Sequence, residues 1–281
     1  MNPMPTPTEM DDYYTKAYWQ THSADDKVSL AKQKDVAQSI KSYVERVFPQ
    51  LTRSEKVSVL EIGSSFGVAL KMVGEAIREK AGNVALYAIE PSEHTVKVGE
   101  HNYRDVEIIG KDVSSLSKTN LTFDLIVLSH VLEHFQDPIG ALRLISARMH
   151  PGSYLFIKVP NFYGHQSVGY PHSFCFTETS LKNVLSASGL RAKDVDTLYR
   201  NKTIPLHLTC IAVKDDARQE YKAESVKDVV GSREAGKKAF AFYISAQNIS
   251  NNRVVSFVWQ LVPVTFRARL KALVRNRYPV S

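Results

Sequence analysis

The alternation of apolar and polar positions predicts a sheet between residues 57 and 214. Short, almost wholly apolar runs are separated by longer segments whose apolar residues recur at helical spacing. This pattern is typical of parallel strands that are buried on both faces and connected by helices. The predicted strands cover residues 57–62, 84–90, 106–109, 123–129, 153–160, 190–200 and 206–214. We therefore expect an α/β fold with a seven-stranded, mostly parallel sheet and helices on both faces.

Helices are predicted between the strands from the same periodicity and from residues that favour helix ends. They cover residues 66–81, 92–102, 137–149 and 177–189. Asp137 is expected to cap the third helix, with Pro138 as its first residue, because an aspartate and a proline suit these two positions. Thr177 is expected to cap the fourth helix, which Gly189 would end.

The two ends of the chain do not follow this alternation. Residues 1–10 contain three prolines, which predicts disorder, whereas residues 25–48 have the spacing of an amphipathic helix that Pro49 ends. Residues 215–281 show no further strand–helix unit. The sequence thus predicts a disordered start and helical cap (1–50), a core (51–214) and a basic helical extension (215–281).

Charge and cysteine content change this picture only at the carboxyl end. The net charge is +7, and after Glu234 the chain has eight lysines or arginines and no acidic residue. Two cysteines cannot form a disulfide framework. The start of the sequence lacks the layout of a signal peptide, and no run of about 18 apolar residues is present. We expect a cytoplasmic protein.

The stretch VLEIGSSFG, residues 59–67, forms a glycine-bordered turn directly after the first predicted strand. A dinucleotide-binding turn would read G-x-G-x-x-G, in which the second glycine admits a pyrophosphate and the third allows close helix packing. Counted from Gly63, this chain has Ser65 and Val68 at those two positions. The turn therefore argues against NAD or FAD.

The same stretch resembles motif I of the class I S-adenosylmethionine-dependent methyltransferases, which reads E/D-x-G-x-G-x-G. S-adenosyl-L-methionine has no pyrophosphate, so a serine at the middle position is tolerated. The resemblance implies a Rossmann-like fold and a cofactor site that includes Glu61, Gly63, Ser64, Ser65 and Gly67.

Later segments of the chain extend the resemblance in the order that the family has them. Glu90, followed by Pro91, ends the second strand, where a carboxylate can accept both ribose hydroxyls. Asp112 follows the third strand, where the family places an acid or amide on the adenine amino group, and Val113 would contact the ring. Ser129 and His130 end the fourth strand and complete the predicted cofactor site.

The segments FDLIVLSHVLEHFQDP (123–138), HPGSYLFIKVPN (150–161) and HSFCFTETSLKNVLSASGL (172–190) are similar to further family segments. The first is most similar to the branch with quinone-biosynthesis and surface-polysaccharide methyltransferases. The resemblance spans residues 57–214. It implies methyl transfer to a small-molecule or sugar-containing acceptor, at oxygen or nitrogen.

Histidines are the candidates for a general base, because their pKa suits proton removal near neutral pH. We favour His172, with His134 second and His130 also near the methyl site. The alternative is that each is a packing or hydrogen-bonding residue, which is the commoner role of a loop histidine. Asn161 and His165 are candidates for acceptor contacts. A lid is predicted from four aromatic residues, which could instead anchor the amino-terminal helix: Tyr13, Tyr14, Tyr18 and Trp19.

A zinc-protease motif, H-x-x-E-H, matches residues 130–134. That motif requires a long helix to place both histidines on one face, whereas here a strand leads into it and Pro138 follows shortly. No metal ligand is therefore predicted.

The sequence of residues 262–279 predicts a basic amphipathic helix. Such a helix could pack on its own core, lie at an anionic membrane surface or contact a dimer partner. No aromatic residues interleave with the basic ones, so nucleic acid binding is disfavoured. An RNA methyltransferase and a non-catalytic binding module with this fold remain the alternatives.

Overall fold

The computed structural model describes residues 6–13, 33–34, 36–45, 56–162, 172–198 and 207–214. All of them belong to the first of the two units into which the chain divides, Met1–Tyr221. The described α-helices are α1 (Pro7–Asp12), α2 (residues 36–45), α3 (Val68–Ala81), α4 (Glu93–Val98), α5 (Pro138–Ala147) and α6 (Glu178–Ser186).

Seven strands form one sheet, as the sequence predicted. They are β1 (Val57–Ile62), β2 (Val84–Ile89), β3 (Val106–Gly110), β4 (Phe123–Ser129), β5 (Met149–Pro160), β6 (Leu190–Leu198) and β7 (His207–Lys214). The spatial order is β3-β2-β1-β4-β5-β7-β6. Every neighbouring pair is parallel except the two pairs that involve β7, which runs antiparallel to both β5 and β6.

The sheet buries both of its faces against helices, which explains the continuous apolar runs of its strands. On one face, the apolar side chains of α5 and α6 pack on residues such as Leu60, Ile126 and Leu155. On the other face, α2 and α3 cover a layer that includes Val59 and Phe156. The prediction of helices on both faces is confirmed.

Helix ends form where the sequence places capping residues. The side chain of Asp137 accepts a hydrogen bond from the Gly140 N–H, and Pro138 is the first residue of α5. At α6, Thr177 and Ser180 form a reciprocal capping box. These side chains satisfy N–H groups that have no partner within their helices.

Most boundaries differ from the predicted ones by one to three residues, and three differences are informative. β5 begins at Met149 rather than residue 153, because Met149 pairs with Phe123 across a register shift in the ladder. The predicted helix 92–102 ends at Val98 and continues as a short 3-10 helix, Glu100–Asn102. Helix α1, Pro7–Asp12, overlaps the end of the segment 1–10 for which proline content predicted disorder.

No helix among the described residues is long and apolar enough to span a membrane. The basic extension from residue 215, with its predicted helix, lies outside the described residues. The predicted domain boundaries therefore stay predictions.

Candidate functional site

The turn between β1 and α3 adopts left-handed backbone conformations at three positions. Gly63 and Gly67 have φ values of 71° and 70°, and Ser65 between them has a φ of 51°. The Gly63 N–H donates to the Ile89 carbonyl at 2.8 Å, which ties the start of the turn to the end of β2. Glycine adopts such a φ without steric cost, whereas a serine there is strained.

Close packing also requires glycine at both ends of the turn. A Cβ atom on Gly63 would lie 2.5 Å from Cγ2 of Val131, and one on Gly67 would lie 3.0 Å from the ring of Tyr103. The turn therefore packs directly against the segment that follows β4. Gly63 thus allows the carboxyl ends of β1 and β4 to lie close together, and Gly67 allows the turn to approach Tyr103.

Ser65 is held in its left-handed conformation by three hydrogen bonds. Its N–H donates to Glu90 Oε2 at 2.7 Å, and its carbonyl accepts from the Tyr103 hydroxyl at 2.6 Å. Its own Oγ accepts from Gln33 Nε2 at 2.7 Å, so the amino-terminal helical segment also contacts the turn. These contacts offset a conformational strain of roughly 1 kcal/mol.

Glu90 lies at the carboxyl end of β2 with its side chain buried. Besides the Ser65 N–H, its carboxylate accepts from the Ser92 N–H at 2.9 Å and from Thr95 Oγ1 at 3.2 Å. Burial raises the pKa of Glu90, and these hydrogen bonds oppose the increase. Because a carboxylate has about four acceptor positions, it can accept one more hydroxyl. Accepting both ribose hydroxyls would require Thr95 or Ser92 to release its bond.

Glu61 is the second buried carboxyl group at this edge of the sheet. Its Oε2 atom is buried and has no hydrogen-bond partner among the described residues. Burial raises the pKa of Glu61 to about 8; a hydrogen bond from the Leu70 backbone opposes this shift, and the nearby charge of Glu90 adds to it. An orphaned carboxyl oxygen of this kind can accept a hydrogen bond from a cationic ligand.

The remaining predicted cofactor residues border the same edge of the sheet. Ser64 is buried, and its Oγ shares a 2.8 Å hydrogen bond with the Tyr103 hydroxyl. Asp112 is exposed and caps the 3-10 helix Val113–Lys118 by accepting from the Ser114 N–H at 2.8 Å. The half-buried Pro91 directly follows Glu90, and Ser129 is the last residue of β4.

His130 follows β4 with a φ of 57°, a left-handed conformation that is rare for a histidine. Its N–H donates to the Lys158 carbonyl at 2.8 Å, which extends the ladder between β4 and β5 by one bond. Its ring lies edge-on to that of His207, the first residue of β7, with centroids 4.8 Å apart. A histidine that follows β4 and one that begins β7 thus meet at this edge.

His134 and His172, the two histidines favoured as bases, form a second pair. Their ring centroids lie 4.9 Å apart in an edge-on arrangement. Glu133 lies between the two pairs, with Oε1 at 3.4 Å from His130 Nδ1 and 4.0 Å from His134 Nε2. All three histidines predicted as catalytic therefore surround one fully buried carboxylate. Burial raises the pKa of the nearby Cys175 thiol, and the charge of Glu133 adds to this increase.

The predicted acceptor and lid residues are only partly described. Asn161 is buried after β5 and forms an isolated bridge with Phe176. Tyr13 directly follows α1 and is half-buried. The other predicted lid and acceptor residues lie outside the described residues: Tyr14, Tyr18, Trp19 and His165.

Sequence reasoning missed four residues of this edge. Tyr103, which lies in the segment after α4, donates a hydrogen bond to the turn, and so does Gln33 of the amino-terminal segment. Glu133 was considered only as part of a protease motif, and His207 was not considered at all. No local pattern identifies Tyr103, Gln33 and His207, because each reaches the site from a segment that is distant in the chain. Glu133 lies beside His134 in the sequence, but its contacts depend on how this segment folds.

A sequence comparison with known families identifies one domain type. A family model described as a methyltransferase domain matches residues 32–194, which is more than half of the chain. No curated protein matches the sequence.

Solved structures share the fold at low sequence identity. The 1,6-didemethyltoxoflavin N1-methyltransferase of Burkholderia thailandensis, with bound 1,6-didemethyltoxoflavin and S-adenosylhomocysteine, has a TM-score of 0.57 and 17% identity; 77% of this chain and 93% of that chain are covered. The magnesium protoporphyrin IX methyltransferase of Synechocystis PCC 6803, with bound S-adenosylhomocysteine, has a TM-score of 0.53 and 12% identity, over 74% and 100% of the two chains. At these identities the likeness concerns the fold alone.

Proposed function

The chain belongs to the class I S-adenosylmethionine-dependent methyltransferases, and from this premise we propose that it methylates an oxygen or nitrogen atom of a small-molecule or sugar-containing acceptor. The acceptor class rests on the similarity of residues 123–138 to the quinone and polysaccharide branch of the family. The toxoflavin and porphyrin methyltransferases of the same fold, named above, have small-molecule acceptors.

The pair of buried carboxyl groups beside the turn supports this proposal most directly. Glu61 and Glu90 end neighbouring parallel strands, and both are almost completely buried. Burying two acids so close together is costly unless a cation or hydrogen-bond donors compensate them. A sulfonium cofactor that carries an ammonium group and ribose hydroxyls supplies both kinds of compensation.

Different residues of the site would contact the ribose, the cationic groups and the adenine of this cofactor. Glu90 would accept a ribose hydroxyl with its remaining acceptor position, and the orphaned Oε2 of Glu61 would accept from a cationic group. Asp112 would accept from the adenine amino group and Val113 would contact the ring. S-adenosylmethionine supplies an activated methyl group when it is bound.

The histidines would act on the acceptor. Methyl transfer is an in-line displacement with a neutral leaving group, so the protein contributes mainly by aligning the two partners. A hydroxyl or protonated amine must also lose a proton, and His172, His134 and His130 lie together at the carboxyl end of β4. One of them would take this proton.

We further propose a cytoplasmic location, with the basic carboxyl-terminal extension at an anionic membrane surface or a dimer contact. The support is compositional: the two cysteines are free and the acidic residues end at Glu234. Both functions of the extension stay predictions.

The test uses the purified full chain in two steps. Calorimetric titration with S-adenosylmethionine and S-adenosylhomocysteine should give saturable binding, and its absence at about 1 mM ligand would reject the proposal. Incubation with a panel of phenols, amines, sugars and nucleotide sugars should then release S-adenosylhomocysteine, measured by mass spectrometry. Binding without turnover across the panel would favour the non-catalytic module. Steeply salt-dependent RNA affinity would favour the RNA alternative.

A further inference from the structure

Three side chains beyond β4 have the arrangement of a metal site. The ligand atoms of Glu133, His134 and His172 all lie within 4.8 Å of one another. Two imidazoles and a carboxylate are a donor set that binds zinc with an open fourth position. No metal ligand was predicted from the sequence, because the protease motif pairs His130 with His134 and requires a long helix that is not predicted there.

Backbone hydrogen bonds bring the third donor into place. The N–H groups of Ser173 and Phe174 both donate to the Glu133 carbonyl, at 2.9 and 3.1 Å. Glu133 and His134 belong to a one-turn 3-10 helix, Leu132–His134, so a long helix does not align the histidines as in a protease. His172 instead arrives from the segment before α6 and packs its ring against His134.

The distances suit coordination after small side-chain rotations. Donor atoms on one tetrahedral zinc ion, at bond lengths of about 2.1 Å, lie roughly 3.4 Å apart. Glu133 Oε1 is 4.0 Å from His134 Nε2, and it is 3.4 Å from Nδ1 of the neighbouring His130. His130 does not belong to the group whose ligand atoms all lie within 4.8 Å of one another, so it is not counted as a ligand of the proposed ion.

Charge and access also favour a cation here. The Glu133 side chain is 1% exposed, so solvent screens the attraction between its carboxylate and a cation only weakly. The side chains of His134 and His130 are 15% and 32% exposed, so the cluster opens to solvent on the histidine side. An ion could enter there and keep one position for water or an acceptor oxygen.

We propose that Glu133, His134 and His172 bind one divalent transition-metal ion of the zinc class. The site lies beside His130 at the carboxyl end of β4. With His134 and His172 as ligands, His130 is the histidine that remains to take a proton from the acceptor. Metal binding itself does not depend on methyl transfer, so the proposal can fail or hold independently of the proposed function.

The experiment uses the full chain without a histidine tag, stripped of metal with a chelator. Titration with Co²⁺ should produce the visible absorption of a tetrahedral complex and saturate at one equivalent, and Zn²⁺ should displace it. His172→Ala and Glu133→Gln should each weaken Co²⁺ binding by about 10²-fold or more. The matched control is His150→Ala, which removes a histidine that pairs with a different carboxylate, Asp124, at 3.1 Å; its binding should equal that of the wild type.

Each result decides the proposal. Absence of saturable Co²⁺ and Zn²⁺ binding at about 100 μM metal would overturn it. Equal affinity in wild type and both site variants would also overturn it, because the ion would then bind elsewhere. If circular dichroism shows that Glu133→Gln does not fold, the result for His172→Ala decides the proposal, because His172 is partly exposed and its replacement should leave the fold intact. A rise of the wild-type melting temperature with Zn²⁺, absent in His172→Ala, would support the site by a second measurement.

Discussion

The backbone N–H of Ser65 donates a 2.7 Å hydrogen bond to Oε2 of Glu90, which joins the turn after β1 to the carboxyl end of β2. One carboxylate therefore has two functions. It holds a strained serine in a left-handed conformation, and it keeps one acceptor position for a ligand. A change at Glu90 should affect the shape of the turn and the affinity for the cofactor together.

Replacement of Glu90 by glutamine should weaken S-adenosylmethionine binding at least about tenfold, or roughly 1.4 kcal/mol. The amide removes the negative charge and turns an NH₂ group toward donors that now bond to the carboxylate. Calorimetry gives the two dissociation constants. Glu93→Gln is the matched control, because Glu93 is 85% exposed and its described ion pair is with Lys111 alone. Equal affinity in the two variants would remove Glu90 from the site.

Glu61 should make the protein less stable as the pH rises from 5 to 8. Burial raises the pKa of Glu61 to about 8 from an ordinary value of 4.5, so in this range the folded state retains a proton that the unfolded state has lost. The free energy of unfolding then falls with increasing pH, by up to about 3 kcal/mol from this group. Denaturant unfolding of wild type and Glu61→Gln at several pH values measures the effect. The variant should show the flatter pH dependence, and parallel curves would contradict the assignment.

Tyr103→Phe should destabilise the turn without altering the apolar packing of the ring. The lost hydroxyl bonds to the Ser65 carbonyl at 2.6 Å and to Ser64 Oγ at 2.8 Å, which would leave two polar atoms without this partner. We expect a loss of about 1–3 kcal/mol of unfolding free energy. Tyr87→Phe is the control, because its ring packs on Phe123 and no hydroxyl bond is described. A change of similar size in both variants would show that the Tyr103 hydroxyl has no special role.

Gly63→Ala should reduce cofactor affinity about tenfold or more. The new Cβ would lie 2.5 Å from Val131, so the turn and the segment after β4 would have to separate. Gly152→Ala carries a similar backbone cost, with a φ of 98°, but its Cβ would meet nothing within 4 Å. Comparison of the two dissociation constants isolates the packing effect. If both variants bind equally well, close approach at Gly63 is not required for binding.

The elements of the sheet could be predicted because their signals are local. β1 and β4 were predicted with their observed boundaries, since both faces of each strand are buried and its apolar run is continuous. The cap at Asp137 follows from two adjacent residues. The early start of β5 could not be predicted, because it depends on pairing between Met149 and Phe123 across a register shift.

The only site residues that could be predicted are those that belong to a sequence motif. Glu61 lies within β1, and Gly63 and Glu90 directly follow β1 and β2, so the fold brings all three to one edge of the sheet. Tyr103 and Gln33 reach the turn from other segments, so the sequence holds no sign of their contacts. The meeting of His134 with His172 depends on two hydrogen bonds to a backbone carbonyl, which no pattern of side chains specifies.

The reversed direction of β7 determines where the chain leaves the described part of the molecule. β7 starts at His207, beside His130, and ends at Lys214, whose ammonium group donates to the Met149 carbonyl at the opposite end of β5. Eight residues of strand separate these points by about 25 Å. Lys214, the last described residue, thus lies at the opposite end of its strand from the two histidines, so the antiparallel course of β7 carries the backbone away from the proposed reaction centre.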